Sequence, residues 1–127
     1  MNYNDFIQPR EITIGNRCFA ISKIPALVAQ SEIYPAVAKA LSADGALGLT
    51  MLPTRVVSAM LAYTAERTEN GNWFELDSID RVNKSFPDIK DMHRIVVEMT
   101  KENFGFLIDG SLREVLGVLG AEAELDS

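Results

Sequence analysis

Pro25, Pro35, Pro53 and Pro87 punctuate the middle of this chain and set what it can fold into. Proline lacks the N–H that a helix interior needs, and its ring meets the carbonyl of the preceding turn. It is at home only in a first helical turn. The chain between these prolines therefore reads as a series of short helices. Pro25 opens a stretch that runs toward Leu41. Pro35 interrupts it, giving two pieces at about 25–33 and 35–42 with a bend at Tyr34-Pro35. Pro53 opens a helix to about Glu66, in which Val56, Val57, Met60, Leu61 and Thr64 recur at helical spacing. Asp77 or Ser78 can cap a short helix that Pro87 ends near Phe86. Asp88 can cap the longest helix, about 89–103. Its apolar side holds Ile89, Met92, Ile95, Val96 and Met99, and Arg94 and Glu98 form an i,i+4 pair on the other. Phe104-Gly105-Phe106-Leu107 reads as an apolar turn. Ser111 and Glu114 fit a capping box for a last helix, about 112–120, that buries Leu112, Val115, Leu116 and Leu119.

Before the first of these prolines the pattern changes. Residues 11–22 are two β-prone runs around Gly15-Asn16, a pair that tolerates the positive φ of a two-residue hairpin turn. Ile12 and Ile14 share one face, as do Phe19 and Ile21. Ser42–Gly48 is a loop, 68–72 is an Asn-Gly turn, and Trp73–Leu76 is a short extended segment. The fold class expected is α+β, mainly α: an N-terminal β-hairpin followed by about five or six short-to-medium helices in a compact bundle. Residues 1–10 form an arm, 11–120 a single compact domain with the hairpin at 11–22 and the helical part at 25–120, and 121–127 an acidic flexible tail.

Charge and composition narrow the chemistry. At 127 residues and 47% apolar, the chain is long enough for one domain with a core of its own. The net charge of −6, with basic residues scattered, argues against a nucleic-acid backbone partner. Cys18 is the single cysteine, so no internal disulfide forms and a reducing compartment is expected. Met1–Arg10 has no long apolar run, so no signal peptide is expected. No stretch approaches the roughly 20 apolar residues of a membrane span.

Candidates for catalysis or metal binding are few. His93, the single histidine, sits mid-helix with no nucleophile motif beside it, and a surface or boundary role outweighs acid–base work. The acidic pairs Asp77/Asp80 and Asp88/Asp91 fall at helix starts, where carboxylates cap and complement the dipole; Glu122/Glu124 belong to the tail. Cys18 lies in the second strand as a small buried side chain, with a reactive thiol as the alternative. The glycines read as turn or termination residues, and no phosphate-binding loop is present. No enzyme activity, cofactor or metal is expected.

Several short segments carry a resemblance. Ile21-Ser22-Lys23-Ile24-Pro25-Ala26 and Ser31-Glu32-Ile33-Tyr34-Pro35 come first. Phe74-Glu75-Leu76-Asp77, Arg81-Val82-Asn83 and Phe86-Pro87-Asp88 follow, then Asn103-Phe104-Gly105-Phe106-Leu107. In order and spacing, over roughly residues 11–110, the chain resembles the tail assembly chaperones of long-tailed bacteriophages. It departs from them at Gln30-Ser31, where a Gly-Arg pair is common, and in the 42–52 loop. The resemblance implies a protein that binds and solubilises the tape measure protein and helps recruit tail tube protein. It would act in the host cell cytoplasm and be absent from the mature virion. No nucleic acid or membrane would be involved, and self-association is left open. Candidate contact residues are the turn-adjacent aromatics Tyr34, Trp73, Phe104 and Phe106, each with burial in the chain's own core as the alternative. Met51, Met60, Met92 and Met99 are flexible enough to suit an irregular partner, although the last three also fall on core stripes. The rival reading is a small phage or bacterial adaptor or inhibitor that binds a globular host or defence protein. An enzyme built on the acidic pairs and a transcription factor rank lower.

Overall fold

Gly15 takes φ +64°, and the chain doubles back there. In the computed structural model, which describes residues 2–109, strand β1 (Ile7–Ile14) pairs antiparallel with β2 (Arg17–Lys23) around this turn. The hairpin is half of a larger sheet. β3 (Thr64–Arg67) joins the free edge of β2, and β4 (Trp73–Glu75) joins β3, giving an antiparallel order β1-β2-β3-β4.

Four helices accompany the sheet. Helix α1 covers 26–44, α2 is Thr54–Leu61, α3 is Ile79–Ser85 and α4 is Ile89–Asp109. A 3-10 segment, Gly45–Met51, links α1 to α2. The expected hairpin under five or six helices is therefore corrected to a four-stranded sheet with four helices among the described residues. The helix expected over 112–120 and the acidic tail 121–127 lie outside the described residues.

Three local forces explain the difference. The bend expected at Tyr34-Pro35 is absorbed instead of ending the helix. A π turn, Ala29–Ile33, precedes the proline, and the Tyr34 N–H donates to the Ala29 carbonyl, five residues back. The wider turn lets α1 continue past a ring that an α-helical ladder would exclude. The helix expected from Pro53 to Glu66 stops at Leu61. There the Thr64 hydroxyl donates to the Leu61 carbonyl at 2.7 Å, and the Ser22 hydroxyl donates to the Tyr63 carbonyl at 2.7 Å. Thr64 and Ala65 then pair with Ile21 and Ala20, so tertiary pairing overrides helical spacing. Finally, the apolar turn at 104–107 lies inside α4, which kinks at Phe104 (φ −135°, ψ 36°) and resumes.

The core lies between the sheet and the helices. Phe19 and Ile21 from β2 meet Ile33 and Val37 of α1, Val56 and Met60 of α2, and Ile95 and Met99 of α4; each of these is fully buried. Ala20 and Ala65 oppose each other on adjacent strands and are also fully buried. The first residues of the chain cross to the far edge of the sheet, where the Tyr3 ring stacks on Trp73 at 4.7 Å and the Tyr3 N–H donates to Glu75 Oε2.

Ser78 caps α3 by accepting from the Arg81 N–H, and Asp88 Oδ1 accepts from the Lys90 N–H at the start of α4. The expected Arg94–Glu98 pair is replaced: Glu98 faces Arg10 and Lys101, each at 3.8 Å.

Candidate functional site: an apolar groove along helix α2

Three clefts share walls along one side of α2. The first, about 490 Å³, lies between α1 and the 3-10 segment and includes Ala36, Ala40, Met51 and Leu52. The second, about 580 Å³, runs from Arg55 and Ser58 to Ile79 and Val82. The third, about 330 Å³, joins Leu52 and Val57 to Ile79, Ile89, Met92 and His93. Leu52 lines the first and third, Arg55 the first and second, and Ile79 and Val82 the second and third. The three clefts thus adjoin as one grooved face, with these side chains standing between them.

Three large apolar side chains stand exposed along it. Met51 is 78% exposed, Ile89 62% and Ile79 59%. A single exposed aliphatic side chain needs no explanation, but several along one groove mark a contact surface. They arise locally. Met51 ends the 3-10 segment, while Ile79 and Ile89 each stand in the first turn of their helix, beyond the reach of the core. Ile89 was expected on the buried side of α4, and its place at the helix start carries it past the packed layer formed by Ile95, Val96 and Met99.

Of the aromatic candidates, the structure brings three together away from this groove. The rings of Tyr34 and Phe104 are 5.7 Å apart, and those of Tyr34 and Phe106 6.5 Å. Phe104 is buried, Tyr34 half-buried, and Phe106 exposed at 38%. Trp73 is separate, half-buried between Tyr3 and the Arg67 guanidinium. The methionines divide: Met60 and Met99 are core, Met92 lines the groove and Met51 stands at its rim. Sequence reasoning did not single out Ile79. The signal available was an isoleucine directly after a capping serine, a position that faces outward when the core stripe begins later.

The polar cluster around Glu66 is structural. Arg17 Nε donates to Glu66 Oε2 at 2.7 Å, the Ser85 hydroxyl donates to Glu66 Oε1, and Arg17 also donates to the Ser85 carbonyl. The guanidinium lies over the rings of Phe19 and Phe86. Burial pushes the Glu66 carboxyl up, but the hydrogen bonds from Arg17 and Ser85 and the Arg17 charge outweigh it and hold the group below its ordinary value of 4.5. A depressed carboxyl stabilises the fold above its unfolded pKa and loses that contribution as pH falls through the folded value. The unfolding midpoint in urea is thus expected to drop as pH is lowered below about 4.5, and Glu66→Gln is expected to flatten that acid limb. Parallel limbs for the two proteins contradict the assignment.

Cys18 is half-buried. Burial and its hydrogen bond to Glu11 raise its pKa, which disfavours the reactive thiolate. Among the described residues no three His, Cys, Asp or Glu side chains gather as a metal site, and no helix is long and apolar enough to cross a membrane. His93 is half-buried at one end of the groove. No family profile, curated protein or solved structure matches the chain.

Proposed function

We propose that the chain is a tail assembly chaperone that receives an apolar helical stripe of a tape measure protein in the groove along α2. It keeps that partner soluble in the host cell cytoplasm, helps bring tail tube subunits to it, and departs before the virion is complete. It does so by binding and without catalysis. The observation that carries the reading is the set of adjoining clefts with Met51, Ile79 and Ile89 exposed along them. Helix-in-groove recognition needs this arrangement, because residues at i, i+3, i+4 and i+7 of a partner helix project as a stripe into successive hollows. Methionine at the rim adapts to stripes of uneven size. The resemblance through Ile21–Ala26, Ser31–Pro35 and Asn103–Leu107 supports the same job.

The expected consequence is separation of binding from stability. Ile79→Glu with Ile89→Glu is expected to leave the unfolding midpoint nearly unchanged, since both side chains are already exposed. The same pair should abolish recovery of a co-expressed tape measure fragment in the soluble fraction. Full recovery of the fragment by the folded double variant rejects the groove as the site.

A further inference from the structure

The first of the three clefts carries a charge opposite in sign to that of the chain. The cleft between α1 and the 3-10 segment has one cation on each wall: Lys39 on α1 and Arg55 in the first turn of α2. Both are exposed, and among the described residues neither has an ion-pair partner. Arg10, Arg17, Arg67 and Arg81 face carboxylates, whereas Lys90 and Arg94 of α4 are exposed without an ion pair among the described residues, as Lys39 and Arg55 are, but line no part of this cleft. One carboxylate, Asp44, also lines this cleft, so its lining carries a net charge of one positive. The whole chain carries −6.

We infer that the occupant of this cleft is a helix whose apolar stripe is flanked on both sides by acidic residues. The inference rests on the groove reading above and specifies its partner. A helix lying over this cleft, with α1 on one side and the 3-10 segment and first turn of α2 on the other, presents its stripe to Ala36, Ala40, Met51 and Leu52. The positions beside that stripe then face Lys39 on one wall and Arg55 on the other. This is the relation that flanking charges hold to the apolar seam in paired helices, where they select partner and orientation. Glutamate at those positions meets two unpaired cations, and lysine there meets two like charges, which is costly. The cations therefore discriminate between partners more than they add affinity.

Two labelled peptides of about 20 residues test this, sharing one leucine stripe at helical spacing. One carries glutamate at the flanking positions and the other lysine. Binding to the full-length chain is measured by fluorescence anisotropy near physiological salt, where the field of the whole molecule is screened beyond about 8 Å. The general negative charge of the protein favours the lysine peptide, so the expected order runs against the simplest electrostatics. The glutamate peptide is expected to bind roughly tenfold more tightly. The double variant Lys39→Glu, Arg55→Glu is expected to reverse the order; both sites are exposed, and circular dichroism verifies the fold. Tighter binding of the lysine peptide to the unaltered chain overturns the inference, as does an order that the double variant leaves unmoved. A tape measure fragment is carried through the same assay. If it binds the chain while the peptide order is wrong, the charge rule fails and the chaperone reading survives. If neither the fragment nor either peptide binds, both fail.

Discussion

Gly48→Ala is expected to be the most damaging single-methyl change in the described part of the chain. Gly48 is buried in the 3-10 segment, where an added Cβ would lie 2.2 Å from the carbonyl oxygen of Ala40 and 2.8 Å from its carbon. Both are backbone atoms of α1, so no rotamer change relieves the clash; the helix or the segment must move. Overpacking of this kind costs about 3 kcal/mol, which for a domain of this size is a fall in Tm on the order of 10 °C. The effect should reach function as well, because Gly48 also lines the cleft that α1 makes with the 3-10 segment. Prying the two apart reshapes one end of the groove. Thermal unfolding by circular dichroism measures the first effect, and binding of a groove ligand at a temperature where the variant is still folded measures the second. Gly45→Ala is the internal control. Gly45 has open space around its Cβ direction but takes φ +63° and ψ −151°, a region essentially open only to glycine, so its cost is backbone strain alone, about 1–3 kcal/mol. An unchanged Tm for Gly48→Ala would show that the close approach to Ala40 has no energetic role.

Asn103→Ala is expected to cost about 2 kcal/mol, because one amide joins three parts of the backbone. Asn103 Oδ1 accepts from the Ile24 N–H at 2.8 Å, while Nδ2 donates to the Ser22 carbonyl and the Met99 carbonyl, each at 3.1 Å. The side chain thus fixes the end of β2 against α4 just before the kink at Phe104. Beside it, Lys23 Nζ donates to the Glu102 carbonyl. Truncation leaves a strand-end N–H and a carbonyl without partners, and it frees α4 to straighten. Asn103→Asp makes the sharper comparison. The carboxylate still accepts from Ile24 but now faces two carbonyl oxygens, so it should be no better than alanine above the aspartate pKa and should recover part of the loss once protonated. Urea unfolding at neutral and acid pH separates the variants. If Asn103→Asp matches the unaltered chain at neutral pH, the two donated bonds are unimportant.

These two residues show how much could be read in advance. Gly48 was legible as a glycine in a loop, but its contact with Ala40 depends on the return path of a 3-10 segment, which no local pattern encodes. Asn103 was visible as part of a short motif, whereas its three partners come from β2 and from the preceding turn of its own helix. The hairpin was readable because Gly15-Asn16 and alternating side chains are local signals. Strand β3 was not, because Thr64 falls at helical spacing after Leu61 and becomes a strand only through pairing with Ile21. Pro35 misled in the other direction: the break it predicts is real for an α-helical ladder, and the π turn before it removes the conflict. The candidate site was the least legible part. Aromatic residues beside turns suit a contact surface, yet Tyr34 and Phe104 pack on each other, and the exposed rim is built from Ile79 and Ile89 at helix starts and Met51 at the end of the 3-10 segment. Whether a first-turn isoleucine is buried depends on where the neighbouring helix ends, and that is a property of the assembled groove.

The most direct measurement is co-expression of this chain with an amphipathic fragment of a tape measure protein, followed by size-exclusion chromatography with light scattering. The account predicts a soluble complex whose mass corresponds to several copies of this chain on one fragment, lost with Ile79→Glu and Ile89→Glu. A fragment that precipitates while this chain elutes alone contradicts it and puts a globular partner first.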